Sequence, residues 1–347
     1  MELRRSRIAL YVLLLGSALS VLGTGSAVAD SVQDFYQGKT ITITVGYTPG
    51  GSYDYYARVF AEYMGKYIPG EPTIIVRNLP GAGSLVAANY LFDIAPKDGT
   101  ALGVVTQTVM LEGPLGTQGV KYDATKFSYI GRMTLVLETM IGRADAPAKS
   151  IAEVRQHEMI AGGTGPTSPT EGYPRLLNAF AGTKFRIVSG FGGSSDLMLA
   201  MERREIDALE NSWNSILRTQ KEWVDDKKIN VLIQAVSERN KQLPDTPTVV
   251  EMASNPEDKA ALEFYISSAN VSRSLLGPPG IPSDRLKALR GAFDQATKDP
   301  GLRAEIEKTG SEFEPASGEY LEGLAQKVAS TPRHVIDRTA AALQPKQ

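Results

Sequence analysis

The sequence predicts an α/β protein of two lobes, each a mainly parallel sheet flanked by helices, with a ligand cleft between the lobes. Short runs of β-branched residues alternate with amphipathic stretches, which is the pattern of βαβ units. The alternation stops near residue 128 and starts again near residue 150, so it indicates two units of similar size. Glycine-rich turns follow the predicted strands in both units, where ligands bind in open parallel sheets.

The first unit is predicted to contain three strands and two helices. Its strands are 41–47, 73–76 and 101–105, and its helices are 53–67 and 84–94. The second unit has predicted strands at 159–161, 185–188, 207–209 and 231–236, and predicted helices at 150–157, 170–181, 194–204 and 216–225.

The remaining chain, from about Pro282, is predicted to be helical over 285–298, 302–308 and 320–343, with an interruption at Pro332. A tail without strands must bury its apolar face on structure that already exists, and we expect it to pack on the first unit. The expected crossings near residues 129–142 and 268–277 then give a discontinuous first lobe, 30–135 and 271–347. The second lobe, 136–270, is inserted into it.

The first 29 residues predict a cleavable export signal. Arg4, Arg5 and Arg7 precede an apolar run over 8–22, and residues 27–29 (Ala-Val-Ala) fit a signal cleavage site. A membrane anchor, the alternative, would need about 20 apolar residues, and this run is shorter. The segment holds three of the 37 basic and one of the 39 acidic residues, so cleavage changes the net charge from −2 to −4. We therefore expect an exported protein.

Composition and motifs exclude several kinds of function. With 42% apolar and 22% charged residues the chain is typical of globular proteins, not of disordered ones. It has no basic run beyond the N-terminus, so nucleic acid is not an expected partner. There is no cysteine, and the two histidines, His157 and His334, are far apart and expected on the surface. Nucleotide-binding loops and the G-x-S-x-G motif of serine hydrolases are missing as well. Taken with the lack of cysteine and of paired histidines, this leads us to expect no metal, no cofactor and no catalytic residues.

Five loops form the candidate ligand site. Each follows a predicted strand, is rich in glycine or small hydroxyl residues, and contains no Lys or Arg; the loops are 48–54, 80–84, 106–108, 162–168 and 189–195. Glycine lets the backbone approach a ligand, and free N–H groups at helix starts attract anions. A single loop of this kind is explained by the residue preferences of ordinary turns, whereas five loops at equivalent positions favour one ligand site that they share. Tyr53 and Phe191 lie within these turns and are predicted to line the cleft.

Five segments, in order along the chain, resemble the Bug family, the TctC-type periplasmic binding proteins of tripartite tricarboxylate transporters. A strand, a Gly-Gly turn, an Asp and an Ala-Arg pair occupy 38–58, and an N-x-P-G-A-G loop occupies 78–83. The other three segments are 95–100, 237–251 and 277–282.

The resemblance implies a two-lobe periplasmic binding protein of the Venus-flytrap type. Such a receptor is a monomer that binds a di-, tri- or aromatic carboxylate through backbone N–H groups and hydroxyls, and it delivers the ligand to integral-membrane transporter subunits. Together with the two aromatic residues, the implied ligand contacts are Thr48, Pro49, Gly50, Gly51, Ser52, Tyr53, Gly81, Ala82, Gly83, Ser84, Thr106, Gln107, Thr108, Thr164, Gly165, Thr167, Ser168, Gly190, Phe191 and Gly192.

The chain departs from the family pattern at three places, each expected to contact the variable end of the ligand. These are Pro166 with Pro169, the turn 189–191, and the strand end 210–213. Two alternatives stay open: an ABC-type receptor for an oxyanion or phosphorylated solute, and a secreted α/β hydrolase using Ser52 or Ser168. The hydrolase would need a base placed beside its serine.

Overall fold

A computed structural model describes residues 31–308 and 313–344. The strands are β1 (Thr40–Val45), β2 (Thr73–Asn78), β3 (Ala101–Val104), β4 (Ser128–Thr134), β5 (Glu138–Arg143), β6 (Met159–Gly163), β7 (Phe185–Ser189), β8 (Ala208–Ser212), β9 (Ile229–Gln234), β10 (Arg273–Gly277) and β11 (Ala316–Ser317). The α-helices are α1 (Val32–Tyr36), α2 (Ser52–Met64), α3 (Leu85–Asn89), α4 (Ile151–Val154), α5 (Pro169–Phe180), α6 (Ser194–Glu202), α7 (Trp213–Thr219), α8 (Lys221–Asp225), α9 (Pro256–Ile266), α10 (Ser283–Ala296), α11 (Pro300–Glu307), α12 (Gly318–Ala329) and α13 (Arg333–Leu343).

These strands form two sheets, as the sequence predicts. The first has the order β11-β4-β10-β3-β1-β2 and the second the order β7-β6-β8-β5-β9. β1 pairs in parallel with β2 and β3, and β6 pairs in parallel with β7 and β8. Reversed strands interrupt both sheets: β10 and the short β11 in the first, and β5 in the second. Most strands of each sheet therefore point one way, and the two-lobe α/β fold class is confirmed.

The reversed strands β5 and β10 begin where the chain changes sheet. β4 belongs to the first sheet, and after residues 135–137 the chain starts β5 in the second. The second sheet uses strands from within 138–234, and β10 returns the chain to the first sheet at residue 273. We refer to the two sheets with their helices as the first and second lobe. The lobe boundaries themselves, at 135/136 and 270/271, stay a prediction.

The helical tail packs on both lobes rather than on the first alone. α10 contacts α2 and β4, and α12 contacts β4, whereas α13 packs against α5 and α9. α9 was not predicted from the sequence. It lies outside the first lobe and packs against α13. Arg338 on α13 donates from Nε to Asp258 Oδ1 on α9 at 2.9 Å. The last helix of the tail therefore packs on the second lobe.

A continuous apolar core joins the two lobes. Tyr129 on β4 of the first sheet and Tyr173 on α5 of the second lobe belong to the same buried cluster, which extends to Ile336 on α13. A second cluster packs α2 and α10 on the first sheet, where the rings of Phe60 and Phe293 stack at 5.2 Å. The predicted export signal lies outside the described residues. Among the described residues, none of the helices has the length and apolar character needed to cross a bilayer.

Candidate functional site

A cavity lies between the two lobes and has residues of both in its wall. Its volume is about 40 Å³, room for about three waters at roughly 10–15 Å³ each. The lining residues lie at the edge of the sheets where the parallel strands end and the reversed strands begin. The lining residues are Tyr47, Gly51, Ser52, Tyr53, Glu138, Thr164, Ser168, Pro169, Thr170, Ser194, Glu210, Asn211, Ser212 and Arg273.

Three helices begin at this wall. α2 starts after its N-cap Gly51, α5 starts after its N-cap Ser168, and α6 starts at Ser194. The first N–H groups of a helix have no partner within it, and the helix dipole adds partial positive charge at that end. Helix starts from both lobes therefore converge on one small space, an arrangement that favours an anion.

Arg273, the first residue of β10, is buried in the cavity wall with 3% of its surface exposed. Its Nε donates to Ser52 Oγ at 2.7 Å, and its Nη1 donates to Gln107 Oε1 at 3.0 Å and to Glu138 Oε1 at 2.9 Å. Its guanidinium carbon lies 4.0 Å from the centre of the Tyr53 ring. Burial lowers the pKa of Arg273, but Glu138 and Tyr53 raise it more, so the pKa is raised overall and the guanidinium stays charged.

Glu138 and Glu210 place two carboxyl groups beside this arginine. β5 pairs with β8 so that Glu138 lies opposite Ser212 and Met140 opposite Glu210. Residues two apart on a strand share a face, so Glu138 and Glu210 are diagonal neighbours on the same face of the sheet. Burial, followed by the nearby charge of Glu138, raises the pKa of Glu210 well above its usual value. Glu210 therefore holds a proton more tightly than an exposed glutamate does.

Among the predicted site residues, five line the cavity. They are Gly51, Ser52, Tyr53, Thr164 and Ser168. Gln107 supports the wall, because its side chain accepts from Arg273 and its backbone N–H donates to Tyr53 Oη at 3.1 Å. Whether these residues contact a ligand stays a prediction.

A second group of predicted residues joins one lobe to the other. Thr48 N–H donates to Gly192 O at 3.1 Å, and Gly83 N–H donates to Thr164 O at 2.9 Å. Thr167 Oγ1 lies 2.7 Å from Ala82 O and 3.0 Å from Gly83 O. These bonds join turns of the first lobe to turns of the second.

Further contacts of the same kind involve Thr108, Gly165 and Pro49. Thr108 Oγ1 donates to Thr167 O, and Pro49 O accepts from Ser195 Oγ at 3.3 Å. A Cβ atom at Gly165, which has a φ of +136°, would lie 2.3 Å from Gly83 N. Only glycine permits this backbone approach, so Gly165 serves the contact between the lobes.

The remaining predicted residues lie outside the cavity wall. Gly50 N–H donates to Asp54 Oδ2, and Ser84 Oγ accepts from Thr106 N–H at 3.1 Å. Phe191 packs against the apolar cluster of the second lobe. Gly81 and Gly190 take positive φ values of 145° and 110° and shape their turns.

Sequence reasoning did not select Arg273, Glu138 or Glu210 as binding residues, although Glu210 lies in a segment singled out as departing from the family pattern. The signal was present but weak: Arg273 is the one charged residue in the predicted crossing 268–277, and Glu138 lies in the predicted crossing 129–142. Arg273 therefore adds a basic side chain to the cavity wall from outside the five predicted loops, which contain no Lys or Arg. Within the described residues, no group of three His, Asp or Glu side chains is placed to hold a metal ion, and His157 and His334 are both exposed.

Known proteins are similar to this chain in both structure and sequence. The structure of the periplasmic binding protein BugD superposes with a TM-score of 0.72 at 18% identity, covering 88% of this chain and 99% of that one. MatC from Rhodopseudomonas palustris with bound malate gives 0.68 at 20% identity, covering 88% and 99%. Both likenesses establish the two-lobe fold.

A relative from Cupriavidus necator, the UPF0065 protein in gbd 5'region, is 24% identical over 324 residues, 90% of this chain and 92% of its own length. The family model described as tripartite tricarboxylate transporter family receptor matches residues 56–340. The match spans most of the chain and includes the cavity-lining residues from Glu138 to Arg273. It confirms the resemblance seen in the sequence. The chain therefore belongs to the receptor family of the tripartite tricarboxylate transporters.

Proposed function

We propose that this protein is a periplasmic solute receptor that binds a small organic carboxylate in the cavity between its lobes and delivers it to the membrane subunits of a tripartite transporter. The observation that carries the proposal is the convergence of the N-termini of α2, α5 and α6 on a wall that also contains Arg273. Uncharged N–H donors and one buried guanidinium stabilise a carboxylate by short, charge-assisted hydrogen bonds. Family membership and the malate bound to MatC support the same ligand class.

Closure of the lobes explains how a ligand would be held. The cavity is small and the bonds from Thr48 to Gly192 and from Gly83 to Thr164 join the lobes beside it. A ligand would enter when these bonds open and would be desolvated when they form again, by hinge motion at the crossings near 135–137 and 267–272. The predicted lobe boundaries and the export signal fit this proposal, as does a monomeric receptor.

The hydrolase alternative is less well supported. Ser52 Oγ accepts a hydrogen bond from the Arg273 guanidinium, and Ser168 Oγ lies 2.9 Å from Thr170 Oγ1 and caps α5. Neither serine has a histidine beside it in the cavity wall. We therefore propose that the protein binds its ligand without chemical change, and an ABC-type oxyanion receptor remains the competing binding function.

A thermal-shift screen of the mature protein tests the proposal. The panel contains mono-, di- and tricarboxylates, aromatic carboxylates, phosphorylated solutes, sulfate and sugars. A ligand bound only by the folded state stabilises it by about 2.7 kcal/mol at a hundred times its Kd, so a true ligand gives a clear rise in Tm. We expect small carboxylates to give the largest rise. Stabilisation by phosphorylated solutes or sulfate, with none by carboxylates, would contradict the proposal.

A further inference from the structure

The charged residues of the cavity wall would not neutralise a ligand that carries only carboxylate groups. Three lining residues carry ionisable charge: Arg273 is basic, and Glu138 and Glu210 are acidic. All three are more than nine-tenths buried, with exposures of 3%, 2% and 5%. Buried charges are tolerated when each has a partner. One guanidinium cannot neutralise two carboxylates and a ligand anion as well.

Glu138 has one carboxyl oxygen that receives no N–H donor from the protein. Its Oε1 accepts from Arg273 Nη1 at 2.9 Å, whereas its buried Oε2 has no N–H or hydroxyl donor among the residues that the structure describes. The carboxyl group of Glu138 is hydrogen-bonded to that of Glu210, and this bond needs a proton between the two groups. Because both residues line the cavity, an N–H donor of a ligand can take the place of that proton.

Glu210 is the second acidic group and is close enough to Glu138 to influence it. The titratable and charged groups facing Glu210 are Glu138 and Arg273, together with the hydroxyls of Tyr47, Tyr173 and Tyr265. Burial and Glu138 raise the pKa of Glu210, so the cavity reduces its own negative charge by keeping a proton there. A cation placed between the two carboxyl groups would replace that proton.

We propose that the ligand of this receptor carries a protonated amine in addition to its carboxylate, and that the amine binds between the carboxyl groups of Glu138 and Glu210. This proposal rests on the proposed function, because it assigns the carboxylate of the same ligand to the helix starts. The bound ammonium supplies donors to Glu138 Oε2 and to Glu210. With both glutamates ionised, Arg273 and the ammonium balance them.

A carboxylate ligand without an amine would bind to the same cavity wall with Glu210 in a different protonation state. In that case Glu210 would keep its proton, and the carboxyl groups of Glu138 and Glu210 would stay hydrogen-bonded to each other. The two modes therefore differ in proton linkage: the amine releases the proton of Glu210 on binding, and the plain carboxylate retains it.

The experiment begins with the tightest-binding carboxylate from the thermal-shift screen. Isothermal titration near neutral pH compares that compound with its partner that differs only in the amine, using pairs such as aspartate and succinate, glutamate and glutarate, or 4-aminobutyrate and butyrate. We expect the amine-bearing member to bind at least about tenfold more tightly, a difference of one unit in log Kd. Titration in phosphate and in Tris should show proton release for that member.

Two variants complete the design. Glu210→Gln removes the charge and keeps the shape, and it should weaken the amine-bearing ligand by at least about tenfold and abolish proton release. The loss should be at least about tenfold larger for the amine-bearing ligand than for its partner without the amine, so the preference for the amine should disappear. Glu205→Gln, an exposed residue of the same lobe outside the cavity, serves as the matched control and should behave as the wild type.

The outcomes separate the two proposals. If the member without the amine binds as tightly or more tightly, or if Glu210→Gln leaves the preference unchanged, the amine site is wrong while the carboxylate receptor stands. If no carboxylate of either kind binds, the proposed function fails and the amine site fails with it.

Discussion

Arg273 Nη1 lies 2.9 Å from Glu138 Oε1, and this buried ion pair joins the first residue of β10 to the first residue of β5. The two residues are 135 positions apart in the chain and belong to different sheets. Each begins a reversed strand, and a reversed strand presents its first residue at the edge where the parallel strands end. The ion pair therefore marks the place where the chain crosses between the lobes and where the cavity lies.

The first prediction concerns the stability that depends on this pair. Arg273→Met leaves Glu138 buried without a counter-charge, and removing one partner of a buried pair costs about 3–5 kcal/mol. Urea unfolding should show this loss, and Arg273→Met combined with Glu138→Leu should recover a large part of it. The control is Arg186→Met, whose ion pair with Glu158 is about half exposed and should contribute at most about 1 kcal/mol. Equal losses in Arg273→Met and the control would contradict the assignment.

The second prediction concerns the backbone approach at the start of α2. A Cβ atom at Gly51 would lie 2.6 Å from Ser194 Oγ across the cavity. Gly51→Val should weaken ligand binding by about a hundredfold or more, a loss of about 2.7 kcal/mol, while unfolding in urea changes little because the φ of Gly51, −75°, suits any residue. Gly113→Val, an exposed site with open space around it, is the control. Wild-type affinity in Gly51→Val would argue against this wall as the binding site.

The third prediction concerns contact between the lobes. Gly165→Ala places a Cβ atom 2.3 Å from Gly83 N, whereas Gly182→Ala, also at positive φ, meets no atom within 4 Å. Both positions have a positive φ, +136° at Gly165 and +67° at Gly182, so Gly182→Ala shows the effect of backbone strain away from the contact between the lobes. In small-angle X-ray scattering with saturating ligand, Gly165→Ala should show a larger radius of gyration than Gly182→Ala. Identical values would show that this contact does not limit closure.

The fourth prediction is a pH dependence of stability at Glu112. Burial raises the pKa of Glu112 from 4.5 to about 7, with hydrogen bonds from Thr117 and Thr108 opposing the shift. The unfolded chain loses this proton at lower pH than the folded protein, so this group makes the protein less stable as pH rises from 4.5 to about 7. Glu112→Gln removes the effect.

The free energy of unfolding of Glu112→Gln, relative to wild type, should therefore increase across this window and level off near 3 kcal/mol above it, at about 1.36 kcal/mol per unit of pKa. The two proteins should have similar stability in acid, where Glu112 is protonated in both states. Glu62→Gln, an exposed site on α2, should show no such dependence. A constant difference at every pH would refute the buried, protonated Glu112.

Local patterns in the sequence predicted most of the fold. Alternating strands and amphipathic helices predicted β1, β2, β3 and the corresponding strands of the second lobe, because these units are built from neighbouring residues. β4, β5, β10 and α9 were not predicted, since they are fully buried or polar stretches without a clear period. The tail was placed on the first lobe alone because α9, the partner of α13, was missing from the prediction.

The candidate site was predictable only in part. The predicted glycine turns include Gly51, Ser52 and Thr164, which line the cavity. The same composition also marks places where two backbones approach each other, and Gly83 and Gly165 are of this second kind. The charged residues of the wall lie on β5, β8 and β10, and no local pattern in these segments predicts that the three strands meet at one cavity.

A crystal structure of the mature protein with the carboxylate that ranks first in the thermal-shift screen tests the binding site most directly. We expect the ligand carboxylate to lie within hydrogen-bond distance of the first N–H groups of α2 or α5, beside Arg273. A ligand found instead in the surface groove lined by Arg143, Trp223 and Lys228, with the cavity between the lobes unchanged, would contradict it.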